Sequence, residues 1–342
     1  MVSNSEEVWL RRLHNQSHSL IGTNSAGEGN GYHDRISFDV PHGYGRDSSK
    51  YNHWLHTVYF RDLINDLNPG LAYWRDKKRG EKLFTIDNCS DNFKNTFFKY
   101  VSNGKSWHRD EFLDEIGNWG RWLVHQGRLI FEMVNWYDNT TNEFYAFELK
   151  ILDDEYCTIK KDKIIFKAPF PVNENQAQEK IIEIPKEKCI IMEWHNELGG
   201  YSFNKKNTEK VLSLGENHSS ISTMSDWSWN PDKELNRMKR WDENFNMLTS
   251  VWGTNNPLNN TTDYYQYYTR LKFKGTSIYL MQCLSNGIEQ ILNRLNKTLN
   301  EKSILKVSDE DYNESKYLQT KSKWAEGKMT FKQLSQYLSH NY

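Results

Sequence analysis

Glu193-Trp-His195-Asn-Glu197 is the tightest grouping of titratable side chains in the chain. An imidazole titrates near neutrality, and a carboxylate on either side can orient it and offset its charge, so this trio has the composition for proton transfer. The three share one face only if a strand runs through all five residues, because alternate strand positions point the same way. A polar strand end is the plainer reading. A second grouping lies early in the chain, where six of the 11 histidines fall by residue 56: His14, His18, His33, His42, His53 and His56. His53-Trp-Leu-His56 spaces two imidazoles on one helical turn. Structural zinc takes four ligands, and no further ligands stand at a compatible spacing, so these residues read as surface or packing histidines. Asp153-Asp-Glu155 reads as an acidic turn. Cys89, Cys157, Cys189 and Cys283 lie far apart without a close pair, which indicates neither a zinc ribbon nor a disulfide framework and suits a reducing compartment. The phosphate-loop, dinucleotide-binding, nucleophile-elbow and zinc-protease patterns are all missing. The residues thus imply no metal and no cofactor.

Bulk composition narrows the partners. The chain has 44 Lys and Arg against 45 Asp and Glu, a balance unsuited to holding nucleic acid by bulk charge, although a local basic strip is compatible with it. Its 342 residues are enough for a substantial core, and the apolar share sits in rings: 13 Trp, 19 Tyr and 16 Phe. The polar N-terminus and the lack of any eighteen-residue apolar run point to a soluble, intracellular protein with no membrane partner.

The elements that must position these residues follow from periodicity. Residues 1–50 are punctuated by glycine and read as an irregular arm that gains order against something else. A helix is expected over residues 50–68, then a short strand from Phe84 and a helix from Ser90 carrying Phe93, Phe97 and Tyr100. Residues 106–126 place Phe112, Ile116, Trp119 and Leu123 on one helical face. Gly127 stops that helix, and Leu129 to Trp136 enter a strand that turns at Asp138-Asn-Thr-Thr-Asn142 and returns through Phe144 to Ile151. Short strands follow around residues 156–159, 164–166, 180–184 and 189–194, with local antiparallel pairing the simplest account. A helix over residues 232–251 precedes the loop Gly253-Thr254-Asn255-Asn256-Pro-Leu258-Asn259-Asn260.

From Thr261 to Asn300 runs the plainest signal, a long helix with Met281, Leu284, Ile288, Ile291, Leu295 and Leu299 along one face. Its first half is aromatic and basic, and Gly275 and Gly287 mark bends. After it come a strand at Ile304 to Val307, a helix over residues 312–325, and Thr330-Phe-Lys-Gln333, which fits a capping box. The fold class is α+β. The expected organisation is an arm (1–50), an antiparallel β-rich wing-like domain with flanking helices (51–200), a short helical stem-like segment and loop (201–260), the long helix (261–300) and a C-terminal helical segment (301–342).

One order of elements carries a resemblance. A helix, then Gly127-Arg-Leu-Ile-Phe-Glu132 opening a strand, a β-rich region with Ile184-Pro-Lys-Glu-Lys-Cys-Ile-Ile191, a long late helix and Gly327-Lys-Met-Thr330 before a short helix is similar to the portal proteins of tailed bacteriophages. It covers roughly residues 110–340. The resemblance implies a non-enzymatic subunit of a homo-oligomeric ring, commonly a dodecamer, at one capsid vertex of the virion, assembled in the host cytoplasm. Its implied partners are the major capsid protein, the terminase, the head-tail adaptor and double-stranded DNA passing non-specifically during packaging and ejection. It also makes residues 253–260 the candidate tunnel loop, and Arg270, Lys272 and Lys274 candidate DNA contacts. One departure is that only Tyr201 to Asn255 remain for the two stem helices and clip of that family. Two other readings stay open: another non-enzymatic virion assembly or binding protein, and an enzyme using Glu193 and His195 or the histidine-rich arm.

Overall fold

A computed structural model describes residues 31–40, 83–101, 109–173, 176–206, 263–307 and 312–339. The helices expected over residues 50–68 and 232–251, and the loop 253–260, lie outside the described residues. The fold is α+β with antiparallel sheets.

Helix α1 (Asp91–Val101) follows strand β2 (Phe84–Asp87). The Ser90 hydroxyl accepts the Phe93 amide at 3.2 Å, which satisfies one free donor of the first turn. Helix α2 (Arg109–Gln126) buries Phe112, Ile116, Trp119 and Leu123 on the face their spacing predicts. It ends at Gly127, whose φ of 73° is left-handed, with the Gly127 amide bonded to the Leu123 carbonyl at 2.8 Å. Strand β3 (Arg128–Asp138) starts at the next residue. The Asp138 carboxylate takes the Thr140 and Thr141 amides at 2.7 and 2.9 Å, and these bonds hold its carboxyl below the usual range. The turn they fix returns the chain as β4 (Phe144–Leu152).

Strand β3 is the centre of the main sheet. Strand β4 lies along one edge, while β8 (Cys189–Glu193) and β1 (Gly31–His33) occupy successive stretches of the other. Local pairing accounts for β3 with β4 and for a second sheet of β5 (Cys157–Ile159), β6 (Lys163–Asn173) and β7 (Gln176–Pro185). It does not account for β8, which crosses to β3 instead of joining β7, nor for β2, which pairs with β9 (Ile304–Val307). Strands β6 and β7 also run well beyond the short segments expected. Strand β5 meets β6 only at Ile164, Ile165 and Phe166, and among the described residues no strand pairs with that edge of β6 past them. Pro169 and Pro171 fall in that stretch, where the missing N–H of proline is tolerated.

Helix α3 (Asp263–Leu299) is one uninterrupted element of 37 residues, about 55 Å long at the usual rise. Met281, Leu284, Ile288, Ile291 and Leu295 are buried in the core shared with α1, α2, β3 and β8. Its first half packs Leu271, Ile278 and Tyr279 in a second core with α4 (Glu314–Ala325) and α5 (Phe331–Ser339). The long helix is therefore part of two cores, not a unit between them. Its glycines serve close packing: a Cβ at Gly287 would stand 2.3 Å from Met192 Sδ, and one at Gly275 would stand 2.3 Å from the Tyr317 hydroxyl. The capping box forms as expected, with the Thr330 amide donating to Gln333 Oε1 at 2.9 Å and the Gln333 amide to Thr330 Oγ1 at 3.3 Å.

Candidate functional site

The residues around Gly127 to Glu132 carry a connected set of polar contacts. A side chain at Gly127 would meet Asn204 Oδ1 at 2.7 Å, so the left-handed glycine also admits the buried Asn204, which donates to the Val124 carbonyl at 3.0 Å. Arg128 follows at the start of β3. It bridges two carboxylates, Asp154 at 3.1 Å and Glu193 at 2.7 Å, and its guanidinium lies 3.7 Å from the centre of the Tyr201 ring. The Tyr201 hydroxyl donates to Asp154, and burial, followed by that carboxylate, raises its pKa. Arg128 thus ties the strand to residues 200–206, which are helical and lead into the undescribed stretch beyond.

Glu132 lies four residues further on and is wholly buried. Its two oxygens accept the backbone amides of Ile36 at 2.7 Å and Ser37 at 2.8 Å. Two charge-assisted bonds are what a carboxylate out of water needs, and both donors come from the arm. The same arm is held by Asp34, which takes the Asn135 amide at 2.8 Å and pairs with Lys188 at 2.9 Å. Phe38 then sets its ring edge-on against Phe166 and Phe170, with centroids 5.2 and 5.1 Å away. The expectation that the arm gains order against something else has a physical counterpart here for residues 31–40. No local signal exposes it, since Glu132 in a strand of apolar neighbours reads only as an outward-facing residue.

The Glu193, His195, Glu197 grouping does not converge. Strand β8 ends at Glu193, and His195 caps a 3₁₀ turn (Asn196–Leu198) by accepting the Glu197 amide on Nδ1 at 3.2 Å. The change from strand to turn sends the three side chains apart. Glu193 is held by Arg128, Glu197 is exposed, and the His195 ring stacks on Tyr279 at 4.6 Å and 18°. Burial, followed by the nearby Glu314 carboxylate, raises the Tyr279 pKa. Asp153 caps its own 3₁₀ turn through the Glu155 amide, consistent with an acidic turn.

Beside β8 an open groove of about 510 Å³ runs along α3. Its wall is a row of helix side chains that read the outer edge of β8. Gln290 accepts the Ile191 amide at 3.0 Å and donates to the Ile191 carbonyl at 2.9 Å, as a neighbouring strand would. Arg294 donates to the carbonyls of Lys186, at 3.2 Å, and Cys189. The row closes a sheet edge that would otherwise be open to pairing. The four thiols are chemically quiet, the two beside the groove included. Burial pushes Cys189 and Cys283 up to about 12 and raises Cys157 and Cys89 as well, so all four remain protonated near neutrality. Among the described residues no group of three or more His, Cys, Asp or Glu could hold a metal ion, and no helix is long and apolar enough to cross a membrane.

Of the three candidate DNA contacts, only Arg270 is exposed. Its guanidinium lies 6.0 Å from the Tyr267 ring. Lys272 is half-buried with its Nζ 5.0 Å from the Tyr268 ring. Lys274 is only 7% exposed and faces Tyr312 at 5.7 Å, so it does not belong with cations that meet a solvated polyanion. A step of two residues turns a helix by about 200°, which sets Lys272 on the opposite side from the other two. His53, His56 and the candidate tunnel loop, Gly253, Thr254, Asn255, Asn256, Leu258, Asn259 and Asn260, lie outside the described residues. No protein-family model matches the chain, and no curated protein is significantly similar to it.

Proposed function

We propose that this chain is a structural subunit of a portal ring of a tailed bacteriophage, which lines a capsid vertex and passes DNA during packaging and ejection. The observation that carries the reading is the placement of α3. Its second half is built into the core of the α+β body and its first half into a second core with α4 and α5, and Tyr268 and Arg270 are exposed near its N-terminal end, shortly after residues 253–260. A rigid element of about 55 Å, packed into both cores, suits a subunit that must hold a loop at a fixed distance from its own body. The residues that carry the resemblance have structural work consistent with it. Gly127 and Arg128 fix the entry to the sheet and the exit into residues 200–206, and Gly327 precedes the capped helix α5.

Size-exclusion chromatography with light scattering tests the reading. The expected result is a closed oligomer of about twelve 40.7 kDa chains. A stable monomer at every concentration would overturn it.

A further inference from the structure

Residues 31–40 meet the rest of the protein as a bound peptide does. Strand β1 contributes only three register pairs to β3, and the main core contains none of its side chains. What holds the segment is a set of discrete receptor groups: the buried Glu132 carboxylate on the amides of Ile36 and Ser37, Lys188 and the Asn135 amide on Asp34, and the Phe166 and Phe170 rings around Phe38. Emptying the groove would take both amide donors from Glu132, so an extended segment in it is favoured.

The connection does not dictate whose segment fills it. The chain leaves the groove at Val40 and re-enters the described fold at Leu83. With the helix expected over residues 50–68 in place, residues 41–82 can still span roughly 100–110 Å, several times the ~20 Å radius of gyration of a compact domain of this length. Contacts made within one chain and between two chains are identical in such a case, and exchange adds all of them to the subunit interface at low cost.

We propose that residues 31–40 dock in trans, filling the Glu132 groove of a second copy of this chain and linking neighbours in the assembly. The inference rests on the ring reading. Cross-strand partners Tyr32 and Tyr137 give the probe, because directly opposed residues suit a disulfide. Full-length chains carrying Y32C and full-length chains carrying Y137C, with different tags, are co-expressed, assembled and oxidised. The expected product is a mixed covalent pair at twice 40.7 kDa that includes roughly half of the Y32C chains, the share with a complementary neighbour in a random mix. H33C with W136C, the adjacent opposed pair, repeats the test in case either tyrosine substitution disturbs folding. Assembled oligomers in which the link forms only within doubly substituted chains would overturn the exchange and leave the ring reading intact. A monomer by light scattering would overturn both.

Discussion

Glu132 is a charged residue whose burial depends on donors from a distant part of the chain. A carboxylate with no exposure is stable only while its oxygens are bonded, and here two amides from a segment nearly a hundred positions earlier supply the donors. Glu132→Gln keeps the shape but removes the charge and turns an NH₂ toward an amide donor. Loss of one charge-assisted bond and the donor clash together are expected to cost about 2–3 kcal/mol. Urea denaturation checks this, as a lower midpoint at unchanged slope, and an unaltered midpoint would show that the clamp carries no net stability. His195 shows the opposite case at the same scale. Its sequence neighbours suggest acid-base chemistry, but its Nδ1 is already an acceptor for a backbone amide and its ring is a packing surface on Tyr279.

At the scale of elements, α3 depends on two glycines that bring it close to its neighbours. Replacing glycine by alanine inside a helix ordinarily gains about 1 kcal/mol. At Gly287 the obstacle is the thioether of Met192, a flexible chain end that can move, so G287A should be nearly neutral. At Gly275 it is the hydroxyl end of the Tyr317 ring, which is rigid and packed edge-on against Tyr279 at 6.2 Å. G275A should therefore lose about 1–3 kcal/mol through overpacking. Thermal denaturation of both variants decides between close approach and bending: equal losses at the two sites would remove this account of the glycines.

For the whole molecule, the buried phenols and thiols set an alkaline limit. Tyr317 and Tyr337 are pushed by burial up to about 12 from an ordinary 10.0, and Cys189 and Cys283 up to about 12 from 9.0. The folded state therefore binds these protons more tightly than the unfolded state does. Stability is flat below the unfolded values and is lost as pH rises from about 9 through about 12. Melting temperature followed by circular dichroism should be constant to about pH 9 and then fall, with tyrosinate absorbance growing in as the C-terminal core opens. A melting temperature that holds level to pH 12 would mean that these groups titrate freely in the folded protein.

The sequence by itself determined the elements whose cause is local. The α2 face, the stop at Gly127, the turn at Asp138, the α3 seam and the Thr330–Gln333 box are each legible because propensity, periodicity or capping acts over a few residues. Tertiary structure decided the partners. Strand β8 crosses to β3, β9 returns to β2 over more than two hundred positions, and the arm finds Glu132, because any apolar strand offers the same ladder and only the packed core selects among them. It also decided which side chains remain at the surface, leaving Arg270 exposed and burying Lys274 four residues later, a difference that charge and spacing alone do not contain.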